Sequence, residues 1–267
     1  MFLTRKNIEN LIEIVIFAGN EIILNKKLKK NIHYKKDGSP VSQGDLISHF
    51  IITEGLKKLF KNSLPIISEE DLNVSIPKLM QNFWLIDPLD GTKDFIIGGD
   101  EYTVNLALIC NGSPLFGIIY QPEKDLLYWG GPPFGAHKRF NGAESNIIEQ
   151  RLDAKAPEKI LVSKSHTNKQ TLSFISKFKN FELIGRASSI KFCDLSENHA
   201  CLYPRIGTIF EWDIAAGHAI IEGSGGIVLD LNCNHLKYGK KDFLSNGFVA
   251  ISASFLNQID FIKGLLQ

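Results

Sequence analysis

Between Trp84 and Ile96 the chain reads WLIDPLDGTKDFI, with Asp87, Asp90 and Asp94 directly behind a run of large apolar side chains. Carboxylates at the end of a buried strand are costly unless something pairs with them. Pro88 fixes its own φ and keeps Asp87 out of the helical region, and Gly91 permits a sharp turn. An acid-Pro-x-acid-Gly segment can therefore aim two carboxylates at one point, with the Leu89 carbonyl between them. Two more acids stand at element ends: Glu69 after the apolar LPII, and Asp213 at the head of WDIAAGHAIIEG. Clustered carboxylates raise one another's pKa, and a hard divalent cation relieves the repulsion. The set is all oxygen, with no Cys or His, which favours Mg²⁺ over zinc or copper. Taken singly, each acid has an ordinary reading. Asp after a strand is usually a turn residue or cap, Glu69-Glu70-Asp71 could be a solvated loop, and Asp213 could stabilise a helix N-terminus. Asp45 fits a capping box, Ser42-x-x-Asp45.

The elements around these acids alternate. Apolar residues from Thr4 to Asn25 recur at helical spacing, with Thr4 as N-cap, and a second helix starts near Ser42. LPIIS and NFWLI read as short buried strands, the latter ending at Asp87. YTVNLALIC, LFGIIYQP, LLYWGG and GAHKRFNG then form an antiparallel meander with a turn at NGSP. From about residue 153, strands (KILVS, FELIG, GIVLDL, GFVAIS) alternate with helices (NKQTLSFISKF, SIKFCDLSENHACLY, WDIAAGHAIIEG from Trp212, SFLNQIDFIKGLL). Gly223 is the expected stop of the WDIAAG helix. The expectation is two closely packed units. An N-terminal α+β unit over residues 1–152 would carry the metal site, and a smaller α/β unit over 153–267 would bind substrate.

Composition narrows the classes. The chain has 267 residues, 44% hydrophobic, with a net charge of +1. That is ordinary globular composition, and the overall field gives no argument for nucleic acid or a membrane surface. The four cysteines form no CxxC pair, which suggests a reducing compartment and no structural zinc. LIEIVIFAGNEIIL is too short and too interrupted to span a bilayer. A soluble cytoplasmic protein is the default, which leaves peripheral attachment on the cytoplasmic face of the inner membrane open. Lys26, Lys27, Lys29, Lys30, Lys35 and Lys36 read as a solvated helix end, or more sharply as a basic rim for an anion. Oligomeric state is not legible. His218, among the small residues of its helix, is expected to be a packed, hydrogen-bonded core histidine. No Gly-rich phosphate loop is present.

Three stretches together resemble one family. PIISEED, WLIDPLDGTKDF and EWDIAAGHAIIEGSGG, in that order along the chain, are similar to the signatures of the inositol monophosphatase superfamily of Mg²⁺-dependent phosphatases. DGSPVSQGD, DPLDGTKDFI, YTVNLALI, SKSH, SSIKFC, LYPR and EWDIAAGHA resemble the CysQ-type 3′(2′),5′-bisphosphate nucleotidases within it. The resemblance runs from about Lys36 to Ile251. It implies a layered αβαβα fold and removal of the 3′-phosphate from adenosine 3′,5′-bisphosphate, giving AMP. It also implies action on 3′-phosphoadenylyl sulfate, hence a place in sulfur metabolism. Glu69, Asp87, the Leu89 carbonyl, Asp90 and Asp213 would hold two or three Mg²⁺. Asp45 and Thr92 would orient and deprotonate water. Gly91 and Thr92 would donate to the phosphate, with Glu69, Leu89, Asp90 and Asp213 beside them. Ser188, Ser189, Lys191, Tyr203 and Arg205 would contact the nucleotide. Asp94 is left outside this set. Two departures bear on base specificity and rate: Arg186-Ala187 stands where relatives often have a Gly before the Ser pair, and Ser42 and Gly44 replace Thr and Ala. An inositol or fructose-1,6-bisphosphate phosphatase is the alternative. A non-catalytic binder using Lys26–Lys36 is disfavoured by the full set of acids.

Overall fold

The computed structural model describes residues 3–26, 32–35, 38, 40–71, 81–147 and 158–266. Lys27, Lys29, Lys30 and Lys36 of the basic segment, and the expected boundary at 152/153, lie outside them. In chain order the first half runs α1 (Arg5–Asn25), a small hairpin of β1 (His33–Tyr34) and β2 (Pro40–Val41), then α2 (Gln43–Phe60). It continues with β3 (Ile66–Ser68), β4 (Asn82–Asp90), α3 (Thr92–Ile97), β5 (Thr103–Cys110), β6 (Ser113–Gln121), β7 (Leu126–Gly131), β8 (Gly135–Phe140) and β9 (Ala143–Asn146). The second half runs β10 (Glu158–Ser163), α4 (Lys169–Ile175), β11 (Phe181–Arg186), α5 (Ile190–Ser196) and β12 (Leu202–Phe210). It closes with α6 (Ala215–Gly223), β13 (Ile227–Leu229), β14 (Leu244–Ile251) and α7 (Ile259–Leu266).

β3 to β9 form a seven-stranded sheet in sequence order. It is antiparallel throughout except that β3 pairs parallel to β4. The second sheet is mixed, in the order β11-β10-β12-β14-β13. Both faces of the large sheet are covered. Trp84 and Ile86 face α1 and α2, whose Leu11, Val15, Ile22, Ile52 and Leu56 are fully buried. Phe83 and Leu85 point the other way, into a core shared with α5, α6 and the second sheet. A strand buried on both faces reads as a continuous apolar run, which is why NFWLI shows no alternation. α4 and α7 cover the outer side of the second sheet through Phe174, Ile175 and Ile262. The result is the expected αβαβα layering.

Local chemistry sets the boundaries. Thr4 and Asn7 cap α1 reciprocally, and Ser42 and Asp45 do the same for α2. Four expectations need correction. SIKFCDLSENHACLY is not one helix. Asn198 takes a left-handed turn (φ +56°) just past the end of α5, and the chain is extended again from Leu202. Trp212 lies in a single 3₁₀ turn over Glu211–Asp213, and α6 proper begins at Ala215 and includes Gly223. The last helix is likewise split, a 3₁₀ stretch over Ala253–Gln258 preceding α7. β4, expected to stop at Asp87, stays paired with β5 to Asp90 across a register shift.

Candidate active site

The register shift in β4 aims the acids. Asp87 lies opposite Asn105 and Asp90 opposite Thr103, with Pro88 and Leu89 bulged between. The bulge is held on both sides: Ser48 Oγ donates to the Pro88 carbonyl at 2.7 Å, and Leu89 N–H donates to Asp87 Oδ1 at 3.1 Å. The Leu89 side chain is buried in the α1/α2 core, leaving its backbone at the surface of the cavity. Gly91 has φ +92°, and a Cβ there would stand 3.1 Å from the Glu101 carbonyl, so the turn into α3 requires glycine.

Asp213 arrives from the second half. α6 packs so closely on β6 that a Cβ on Gly117 would lie 2.3 Å from the Ala216 carbonyl. This contact brings the 3₁₀ turn before α6 against the end of β4. Carboxylate oxygens of Asp87, Asp90 and Asp213 lie within 4.8 Å of one another. Burial pushes all three carboxyls up. Glu69 and the neighbouring aspartates reinforce this for Asp87 and Asp213. Asp90 rises less, to about 6, because the Lys191 ammonium opposes the effect of burial. Three oxygen donors that destabilise one another's ionised forms fit a hard divalent cation. Glu69 lines the same cavity but its carboxylate is drawn to Lys35 Nζ at 2.7 Å, which also binds Glu70 at 2.8 Å.

Asp45 serves both readings at once. Oδ2 accepts the Ser42 N–H and hydroxyl, closing the helix cap. Oδ1 lies 3.0 Å from Thr92 Oγ1. Burial raises the Asp45 carboxyl, with the Ser42 and Thr92 bonds opposing the rise. Thr92 Oγ1 is also 3.0 Å from the Leu89 carbonyl, and its one proton can serve only one of the two.

The same cavity carries most of the residues expected from sequence to contact a nucleotide. Ser188, Lys191, Tyr203 and Arg205 share with the acids a cavity of about 400 Å³. Ser189 lies outside this lining, its hydroxyl 2.7 Å from both Thr103 Oγ1 and Asn105 Oδ1. Lys191 is buried, with its ammonium on the carbonyls of Arg186 and Ser188 and 5.2 Å from the centre of the Tyr203 ring. Burial lowers it to about 8 despite Asp90. Sequence reasoning missed other lining residues of the cavity, among them Ser163, Thr208, Ile209, Phe210, Trp212 and Leu244. None of these is an unusual residue type in its place. Asp94 is indeed elsewhere: its Oδ2 accepts the Glu101 N–H. His218 is a core histidine bonded to Tyr238. Lys26 is ion-paired with Glu123. No described helix is long and apolar enough to cross a membrane.

Fold and site define a phosphatase class. The model of the inositol monophosphatase family matches residues 5–259, and the chain belongs to that family, whose members are metal-dependent. Among its relatives are the proteins named 3′(2′),5′-bisphosphate nucleotidase CysQ. That of Buchnera aphidicola is 36% identical, with 92% of this chain and 94% of that protein aligned. That of Escherichia coli K12 is 37% identical over 80% of this chain and 86% of that one. The crystal structure of CysQ from Bacteroides thetaiotaomicron superposes with a TM-score of 0.77 at 30% identity, covering 93% and 98% of the two chains. A Thermotoga maritima inositol monophosphatase shares the fold at 20% identity, with a TM-score of 0.75 and 98% of each chain covered.

Proposed function

We propose that this protein is a 3′(2′),5′-bisphosphate nucleotidase. It hydrolyses the 3′-phosphate of adenosine 3′,5′-bisphosphate to AMP and phosphate, and acts on 3′-phosphoadenylyl sulfate as a second substrate. The observation that carries this reading is one cavity lined by the Asp87–Asp90–Asp213 cluster, by Thr92 and by Arg205, with the buried Asp45 bonded to Thr92. Similarity to the CysQ proteins over most of the chain supports it.

Two or three Mg²⁺, held by Glu69, Asp87, the Leu89 carbonyl, Asp90 and Asp213, would neutralise the phosphate and acidify the attacking water. The chain does the rest. Thr92 donates its proton to Asp45, which leaves its oxygen lone pairs free to accept from water and the Leu89 carbonyl free for a cation. Asp45 is then the terminal proton acceptor, a role worth roughly 10²–10⁴ in rate. The Gly91–Thr92 backbone at the start of α3 faces the phosphate. Arg205 supplies charge to the second phosphate, which it can grip bidentately. The N-terminal half, residues 1–152, thus carries the metal chemistry and residues 153–267 recognise the nucleotide, with Asp213 crossing between them. The setting is the cytoplasm.

A substrate panel at fixed Mg²⁺ tests the assignment. Adenosine 3′,5′-bisphosphate is expected to exceed inositol 1-phosphate and fructose 1,6-bisphosphate in kcat/KM. The reverse order overturns it.

A further inference from the structure

The turn between β11 and α5, which carries Ser188, is held from outside the cavity by a residue with no part in the proposed chemistry. Glu101 lies between α3 and β5, is 9% exposed, and is absent from the cavity lining. Its carboxylate reaches into the second half at three points. Oε2 accepts the Ala187 N–H at 2.9 Å, Lys164 Nζ pairs with it at 2.7 Å, and Arg186 Nη1 lies 3.8 Å from Oε1. Arg186 ends β11 and lies opposite Ser163 at the end of β10, so one carboxylate gathers two adjacent strand ends. The two ion pairs involve half-exposed partners and contribute little singly. The bond to Ala187 is charge-assisted and mostly shielded, and is the strong one.

The backbone of Glu101 is fixed on the metal side. Its N–H donates to Asp94 Oδ2 at 2.9 Å, and its carbonyl sits against Gly91. A single residue thus touches both the segment carrying Asp90 and the turn carrying Ser188. That turn is strained, with Ser188 at φ +44°. Such a conformation persists only where the surroundings over-determine it. Lys191 holds the turn from within through the carbonyls of Arg186 and Ser188, and Glu101 holds it from without through the amide between them. Ser188 Oγ, on the cavity wall, is buried without a partner.

We propose that Glu101 is a positioning residue for substrate recognition. It fixes the spacing between the carboxylate cluster and the Ser188 turn, and so sets affinity for the nucleoside part of the substrate and not the rate of phosphate release. The proposal rests on the nucleotidase reading. Its test compares wild type with Glu101→Ala, which removes every contact, and with Glu101→Gln, which keeps the size and an acceptor for Ala187 but no charge. With Mg²⁺ and adenosine 3′,5′-bisphosphate, Glu101→Ala is expected to raise KM about tenfold, the equivalent of one charge-assisted hydrogen bond, with little change in kcat. Glu101→Gln should fall between it and wild type. Hydrogen exchange at the Ala187 amide should be faster in Glu101→Ala, while the rise in Tm on adding Mg²⁺ stays as in wild type. Unchanged KM in both variants overturns the proposal, as does a loss confined to kcat or a lost response to Mg²⁺. If Glu101→Ala does not fold, the KM of Glu101→Gln decides alone. A wild type that does not turn over the nucleotide sinks the nucleotidase reading and this proposal with it. Turnover by wild type with unchanged variants sinks the positioning role alone.

Discussion

Thr92 and Asp45 show how a single hydrogen bond separates two readings of one residue. Asp45 has an ordinary cap in Oδ2 and a proton acceptor in Oδ1. Ser42-x-x-Asp45 discloses the first use locally, whereas the second, implied by the family resemblance, depends on Thr92 approaching from 47 residues away. Thr92→Ala is expected to lower kcat by roughly 10²–10⁴, the range of a positioned proton acceptor. Thr92→Ser should restore most of it, since the hydroxyl is kept. Steady-state phosphate release measures both, and equal rates for Ala and wild type would remove Thr92 from the mechanism. Asp45 also makes a pH prediction. Its carboxyl is raised by burial and held down by Ser42. A base works only when deprotonated, so activity falls as pH falls through this pKa. Ser42→Ala removes one stabilising donor, so the acid limb of the kcat profile should move to higher pH. The acids themselves were legible because Pro88 restricts the backbone between them and Gly91 permits the turn behind them. Phe210 and Leu244 were not, because an apolar residue at a cavity edge has the same sequence signature as one in a core.

At the scale of elements, α1 and α2 were read well, whereas α3, the β1–β2 hairpin, β9 and β12 were missed. Thr4 and Ser42 mark their helices through side-chain chemistry that acts within three residues, so no tertiary context is needed. β12 contains Pro204 and Gly207, both unfavourable in a strand interior, and it is bent by a register shift between Ile206 and Ile209. Its extension comes from pairing with β14 and β10, which local sequence does not encode. The contact that delivers Asp213 is of the same long-range kind. Gly117 on β6 admits the backbone of α6, with the Ala216 carbonyl 2.3 Å from where a Cβ would lie. Neither partner is a flexible side chain tip, so a methyl group there must move the helix. Gly117→Ala is expected to cost about 1–3 kcal/mol, as overpacking of a core does. It should also lower kcat, because Asp213 moves with α6. Denaturant unfolding together with turnover checks this: full activity at reduced stability would show that Asp213 is positioned by something other than this contact.

Over the whole molecule, the site exists because three remote segments meet. Asp87 and Asp90 come from a central strand, Glu69 from its parallel neighbour, and Asp213 from the turn before α6. No periodicity in the sequence gives that meeting; it follows from sheet order and from a core shared by both halves. The meeting makes the metal-free protein sensitive to pH in a definite direction. Asp90 has its folded pKa raised to about 6, with Asp87 and Asp213 raised as well. A raised folded pKa means that the native state holds the proton more tightly than the unfolded chain. This stabilisation is complete below the unfolded value near 4 and is lost as pH rises through about 6. His49, His166 and His218, whose pKa values burial lowers, act in the opposite sense up to about 6.5. The difference between metal-loaded and metal-free protein separates the two groups. A cation competes with protons only at the carboxylates. The rise in Tm on adding Mg²⁺ should therefore be small at pH 5 and grow towards pH 7.5. Saturation at about 100 times Kd contributes about 2.7 kcal/mol, or roughly 5–11 °C for a chain of this size. Asp90→Asn should abolish most of this rise and, with it, phosphate release. Thermal unfolding with Mg²⁺ and with chelator, at both pH values, measures it. A rise equally large at pH 5, or intact in Asp90→Asn, would place the cation away from the three aspartates.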